Sequence, residues 1–313
     1  MEKKKVAMLS IYSNSLLVVL KFATGILMGS VSVISEGIHS MIDLVAAIIA
    51  NYSVRKASQP ADKDHPYGHG KYENYAGVIE AVLIFFAAIL IMYESGMKLI
   101  TNAGVELLEA GIVIMGISAV VNFFVSRKLY RVGVETESMA LMADGLHLRT
   151  DVLTSLGVFA GLILIRITGL PWLDPFVAIL VALLIVKAAW DLTREASKGL
   201  VDEQLPSEEE AVIKTVLAKH SREFVAFRAL RTRKSGPERF VDLVLLVRPD
   251  TSVLDAHRLC DAIEQEIESK LRNTDVLIHT EPCMCEDGRC KNTEGGFIQI
   301  GEEEAVVDNE EKR

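Results

Sequence analysis

The sequence predicts a two-part chain: an all-α membrane domain of six spanning helices, then a small α/β domain with the element order αββαβ. Three observations carry this expectation. Six apolar stretches are each long enough to cross a hydrocarbon core of ~30 Å at ~1.5 Å per residue. After Leu205-Pro206 the long apolar runs give way to short amphipathic segments. The charge is also uneven: residues 1–200 hold 17 basic and 17 acidic side chains, whereas 201–285 hold 12 against 16 and 286–313 hold 4 against 9. The formal net charge of −9 therefore sits in a polar C-terminal third. With 50% apolar residues and a mean hydropathy of +0.30, the chain is too apolar for one soluble domain. No basic surface argues for nucleic acid. The expected domains are 1–205 in the bilayer, 206–285 as the α/β unit, and 286–313 as an acidic disordered tail.

Spans are expected near 7–28, 33–54, 76–100, 106–127, 139–166 and 173–192. The charged start, Met1 to Lys5, lacks a following small-residue cleavage site, so the first run reads as a retained span. Gly29 to Ser32 and Thr101 to Val105 are short connections, and Gly169 and Pro171 separate spans five and six. Basic residues cluster on one side. Lys3, Lys4 and Lys5 precede span one, Arg55, Lys56, Lys63 and Lys71 follow span two, and Arg127, Lys128 and Arg131 follow span four. Arg194 and Lys198 follow span six. The positive-inside rule puts both termini in the cytoplasm of a multi-pass protein of the cell membrane.

One phrase occurs twice inside these spans: His39-x-x-x-Asp43 in the second and His147-x-x-x-Asp151 in the fifth. Ionisable groups in a bilayer are costly and mark function by default. The i, i+4 spacing stacks each His over its Asp on one helix face. Two such faces turned together offer two imidazoles and two carboxylates, a four-coordinate shell suited to Zn²⁺ and then to Co²⁺, Cd²⁺ or Fe²⁺. Small residues flank both phrases (Gly37, Ser40, Ala46 and Ala47; Ala143, Gly145, Thr150 and Ser155), allowing close helix approach. A ligating His must be neutral and a ligating Asp ionised, so protons and metal compete for the same lone pairs. Histidine's ordinary pKa of ~6.5 suits such an exchange. The sequence therefore reads as a membrane mover of zinc with protons as counter-substrate. Glu80 in span three is either a proton-path acid or a wetted residue near the cytoplasmic end.

The loop after span two reads Asp62-Lys-Asp-His65-Pro-Tyr-Gly68-His69-Gly70-Lys71-Tyr-Glu73. Its two histidines with carboxylates on either side form a second candidate metal position, against the plainer reading of a solvated loop. In the C-terminal unit, Ser207 with Glu209 and Glu210 is expected to open a helix in capping-box style that runs to about Lys219. Strands are expected at 225–233 and 240–247 around the Ser235-Gly236-Pro237 hairpin signal, with a helix over 252–271 and a last strand at 276–279. His220 reads as a helix-end cation and Cys260 as a packed thiol. Cys283, Cys285 and Cys290 form either a Cys₃His zinc shell with His279 or an exposed redox-sensitive stub.

Taken together, these residues resemble the cation diffusion facilitator family of metal-efflux transporters over roughly 10–283. The resemblance rests on His39/Asp43 and on Ser138-Met-Ala-Leu-Met-Ala-Asp144-Gly-Leu-His147-Leu-Arg-Thr-Asp151. It rests also on the loop His65 to Glu73, on Leu230-Arg-Thr-Arg-Lys-Ser-Gly236 and on His279-Thr-Glu281-Pro282. It implies homodimers with six transmembrane helices per subunit and a cytoplasmic metallochaperone-like domain. Such proteins export divalent cations in exchange for protons by alternating access. Carried over by position, His39, Asp43, His147 and Asp151 are the transport site, and Asp62, His65 and His69 the loop site. The His at position 39 is similar to the zinc-selective branch.

In the C-terminal domain the chain departs from the family. Arg228 and Val244 stand where related bacterial pumps use metal-binding histidines, leaving His257, His279 and Glu281 as candidates. A single ion there, or none with Arg228 forming a salt bridge instead, are the two open readings. The rivals to zinc/proton antiport are a Fe²⁺, Cd²⁺ or Co²⁺ pump of the same architecture, a membrane metal sensor and an intramembrane zinc hydrolase. The last would need a motif such as His-Glu-x-x-His, which the sequence lacks.

Overall fold

The computed structural model describes residues 2–28, 31–101, 109–168 and 172–284. The chain divides into two compact units, residues 1–201 and 202–313. Cys285, Cys290 and the expected tail at 286–313 lie outside the described residues.

Unit one is built from six long helices: α1 (Glu2–Met28), α2 (Val31–Ala57), α3 (Lys71–Thr101), α4 (Glu109–Glu135), α5 (Met139–Thr168) and α6 (Leu173–Lys198). Helices suit this composition because each satisfies its backbone polar groups internally, as a bilayer demands. At 26 to 31 residues they reach ~40 Å or more, enough to cross with turns to spare. Among the described residues, four stretches are long and apolar enough to span by length and composition: Glu2–Leu27, Gly37–Ala57, Lys71–Met97 and Pro175–Lys198. The main packed pairs are α1 with α2, α4 with α5, and α3 with α6. Helices α2, α3 and α5 also meet one another, and this brings the two His/Asp phrases together.

Glycine makes the close approach possible. A Cβ on Gly145 would lie 2.8 Å from the Tyr130 backbone nitrogen and 3.2 Å from the Ser126 carbonyl oxygen. The α4–α5 turn closes through Ser138 N–H donating to the Gly133 carbonyl at 2.8 Å, with Glu137 in the left-handed region at φ 52. Around the two phrases, Ala46, Ala47 and Ala143 are fully buried. Large apolar side chains such as Phe86, Phe124 and Leu184 point outward, as a lipid-facing surface requires.

Unit two runs α7 (Ser207–Lys219), β1 (Ala226–Ser235), β2 (Glu238–Val247), α8 (Val253–Lys270) and β3 (Thr274–Pro282). The sheet order is β1-β2-β3, with β1 antiparallel and β3 parallel to β2. On β2, Val241, Leu243 and Leu245 turn inward against Ile213, Val216 and Leu217 of α7 and Ile263 and Ile267 of α8. Both helices thus cover one sheet face. Helix α8 starts at Ser252, whose hydroxyl accepts from Asp255 N–H at 3.1 Å. The capping box expected at Ser207 does not form. Pro206 takes the cap position and its carbonyl accepts from Glu209 and Glu210, so Ser207 is already helical.

Candidate metal centre

The two phrases converge. His39 and Asp43 on α2, and His147 and Asp151 on α5, bring their polar atoms to one place. His147 Nε2 lies 3.0 Å from Asp43 Oδ1, and His39 Nε2 lies 3.9 Å from both Asp43 Oδ1 and Asp151 Oδ1. His39, Asp43 and Asp151 have ligand atoms all within 4.8 Å of one another, and His147 joins them through Asp43. A tetrahedron with metal–ligand bonds of ~2.0–2.2 Å has edges of about 3.4 Å, and the observed separations straddle that value. Behind the cluster, the hydroxyls of Thr150, Thr154 and Ser155 bond back to carbonyls of α5 and satisfy themselves inside the helix.

The four groups grade from open to sealed. The His39 side chain is 47% exposed and Asp151 19%, whereas Asp43 and His147 are 5% each. His39, Asp43 and Asp151 line a cavity of about 570 Å³ with Lys21, Glu94, Ser95, Asn122 and Thr154. These positions run from the cluster toward the end of the bundle where α3 stops and α4 begins.

Three further ionisable residues are buried here. Lys21 donates to Ser40 Oγ at 2.8 Å. Asp144, one turn before His147, is 1% exposed. Glu80 is wholly buried, which corrects the reading of a wetted residue: α5 covers it, and its Oε2 lies 3.9 Å from His147 Nδ1. Neither Lys21 nor Asp144 belongs to a His-x-x-x-Asp pair that would mark it in the sequence. The signal that could have flagged them is the one that flagged Glu80, a charge inside an apolar span. Asn14 on α1 and Asn51 on α2 bury their amide nitrogens without a hydrogen-bond partner.

A second cluster occupies the α2–α3 loop. Asp62 Oδ1 lies 3.1 Å from His65 Nδ1, and Asp62 Oδ2 lies 3.2 Å from His69 Nε2. Asp62 Oδ1 also accepts from the backbone N–H groups of Asp64 and His65 at 3.0 and 2.7 Å. The His65 amide is the main cause holding the Asp62 carboxyl below its ordinary pKa, which keeps it an anion. Gly68, at φ 78, supplies the left-handed turn that folds His69 back over Asp62. His69 is buried and the other two are more open.

In unit two the candidates separate. Strand register sets Arg228, Val244 and His279 side by side across the sheet, on the face away from the helices. Arg228 Nη2 donates to Glu281 Oε2 at 2.6 Å, and His279 Nε2 is 3.7 Å from Glu281 Oε1. His257 sits on α8, 3.4 Å from Asp261. Among the described residues, only the loop trio and the His39, Asp43 and Asp151 trio bring three ligand atoms together. A bulge between Arg228 and Arg231, with Ala229 in the left-handed region at φ 51, re-aims this part of β1. Cys283 is buried and its N–H donates to the Val247 carbonyl, which does not fit an exposed stub. Cys260 is a packed thiol whose pKa burial pushes up to about 11.

Comparison with known proteins agrees with this architecture. A family model described as the cation efflux transmembrane domain matches residues 7–201, and one described as the cation efflux protein cytoplasmic domain matches 205–283. The chain belongs to the cation diffusion facilitator family; it is a membrane transporter that moves divalent cations outward, not an enzyme. It is similar to the uncharacterized transporter sll1263 of Synechocystis sp., 34% identical over 276 residues covering 88% of this chain and 89% of that protein. It is also similar to the cation-efflux pump FieF of Cronobacter sakazakii, 31% identical over 269 residues covering 86% and 89%. A solved structure of the zinc form of CzrB is 35% identical, covering 29% of this chain and 99% of that one with a TM-score of 0.26.

Proposed function

We propose that the chain expels Zn²⁺ from the cytoplasm in exchange for protons, with His39, Asp43, His147 and Asp151 as the transport site. The observation that carries this reading is the convergence of two nitrogen and two carboxylate donors from α2 and α5 at 3.0 to 3.9 Å. That donor set suits a borderline dication and fits Mg²⁺ or Ca²⁺ poorly. With Asp43 ionised, the 3.0 Å contact to His147 is an Nε2–H donating to a carboxylate. An arriving Zn²⁺ needs that nitrogen's lone pair, so the proton must leave. A returning proton reverses the trade and frees the ion. Exchange at one site, open to one side at a time, is what antiport requires.

The clustering of Lys and Arg at one end of the helices supports a protein of the cytoplasmic membrane with both termini in the cytoplasm. In that orientation the cavity beside His39 faces outward and the Glu80 side is sealed. Residues 206–285 act as the dimerisation and regulatory domain of a homodimer. Asp62, His65 and His69 hold a second ion near the cytoplasmic surface. In unit two, Arg228 neutralises Glu281, which supports a sheet face without a bound metal in the single chain. The test is zinc uptake into proteoliposomes driven by a pH gradient. Uptake must require the gradient and vanish in Asp151→Ala; normal uptake by that variant ends the assignment. Competition with Fe²⁺, Cd²⁺ and Co²⁺ in the same vesicles identifies the preferred ion.

A further inference from the structure

Glu80 of α3 lies behind His147, outside the residues that line the cavity. Both Glu80 carboxylate oxygens are buried without a hydrogen-bond partner, and so is His147 Nδ1. The gap between Nδ1 and Oε2 is 3.9 Å. Orphaned polar atoms are costly inside a membrane domain, where water cannot reach them. Here the orphaned atoms face each other, and once Nδ1 carries the imidazole proton each is the available remedy for the other.

The chemistry of a ligating imidazole gives the arrangement a purpose. His147 turns Nε2 toward Asp43, at 3.0 Å, so Nε2 is the nitrogen that meets the ion. A neutral imidazole that spends its Nε2 lone pair on a cation carries its proton on Nδ1. That N–H needs an acceptor, and the carboxylate nearest to hand is Glu80, at 3.9 Å about 0.7 Å beyond the upper end of the 2.7–3.2 Å range of an N–H···O bond.

We infer that Glu80 is the positioning carboxylate of the transport site. It accepts the His147 Nδ1 proton when the ion is bound, fixing the tautomer and ring plane and strengthening the imidazole as a donor. Glu80 is not itself a ligand, because the imidazole ring stands between it and the cluster. The inference rests on the reading of His147 as a ligand and adds a third helix, α3, to a site otherwise built on α2 and α5.

The test uses the full-length protein in detergent, with His65→Ala, His69→Ala, His257→Ala, His279→Ala, Cys285→Ser and Cys290→Ser as a common background that silences the other candidate positions. Co²⁺ is the probe, titrated by its visible absorption, whose intensity reports tetrahedral coordination. Glu80→Met keeps the length and removes the acceptor; Glu80→Gln keeps an amide oxygen that can take the Nδ1 proton. The expected result is Co²⁺ affinity weakened roughly 10–100-fold in Glu80→Met, with most of that loss recovered in Glu80→Gln. Parent-like affinity and spectrum in a folded Glu80→Met protein overturn the inference, as does a folded Glu80→Gln that binds as weakly as Glu80→Met. If Glu80→Met does not fold, Glu80→Gln decides: strong binding with the parent spectrum supports the role, and binding weakened 10-fold or more contradicts it. His147→Ala runs alongside. If it binds Co²⁺ like the parent, the ligand reading itself has failed, and the role of Glu80 falls with it.

Discussion

Carboxylates in the two units live under opposite conditions. Between α2 and α5, the nitrogens beside Asp43 and Asp151 are imidazoles, which can serve as metal ligands themselves. At the end of β3, Glu281 meets the Arg228 guanidinium at 2.6 Å, a cation that never deprotonates. A carboxylate with a permanent partner has little call on a mobile dication. One whose partners are themselves ligands gains from admitting one. The loop trio falls between, with Asp62 held anionic by backbone amides rather than by a counter-ion.

The comparison breaks most visibly at the membrane site. Asp43→Ala or Asp151→Ala should reduce gradient-driven zinc flux to background, a loss of roughly two orders of magnitude or more. Flux within twofold of the parent would detach the cluster from transport. Next in size is Gly145→Val, which drives a side chain into the α4 backbone at Tyr130 and Ser126. Overpacking of this kind costs about 1–3 kcal/mol, read as a lower melting temperature with zinc flux impaired in parallel, because Gly145 packs two residues from His147.

The loop and the sheet sharpen the contrast. Backbone amides hold Asp62 below its ordinary pKa, so it stays ionised between pH 7 and 5 and any loss of loop metal in that window is not its titration. Asp62→Asn should then lower loop affinity by a nearly constant factor across that window, measured by calorimetry. A factor that changes steeply with pH would assign the titration to Asp62. Arg228→Ala should cost no more than about 1 kcal/mol, since the pair is 40% and 33% exposed. It should also raise bound zinc per chain by freeing Glu281 beside His279; unchanged stoichiometry argues that the salt bridge replaces no ion.

The smallest effect is Glu266→Gln. Lys219, then Lys270, hold the Glu266 pKa down to about 2 from its ordinary 4.5. Its contribution is therefore full above 4.5 and lost as pH falls through about 2. The substitution should lower the melting temperature at pH 7, by a difference that shrinks as pH falls from 4.5 toward 2.

Much of this was legible in the sequence because it depends on local pattern. Apolar length located the helices, although α2 continues past 54 to Ala57 and α6 past 192 to Lys198, where charged turns carry them beyond the hydrocarbon. The i, i+4 phrases located the ligand faces, since helix geometry alone stacks those residues. The alternative of an Arg228 salt bridge could be raised from a single residue type. What the sequence did not reveal depends on packing between elements. Glu80 reads as a residue near a helix end, and only the cover of α5 makes it buried and aims it at Nδ1. Lys21 and Asp144 sit in apolar runs whose partners no spacing rule identifies. The bulge at Ala229 has no local signature, because alanine does not favour the left-handed region.

The most direct measurement is anomalous diffraction at the zinc edge from crystals of the full-length protein grown with Zn²⁺. The account predicts a peak between α2 and α5 within ~2.0–2.2 Å of Nε2 of His39 and His147 and of a carboxylate oxygen of Asp43 and Asp151. Zinc at the loop with no density between those two helices would contradict it.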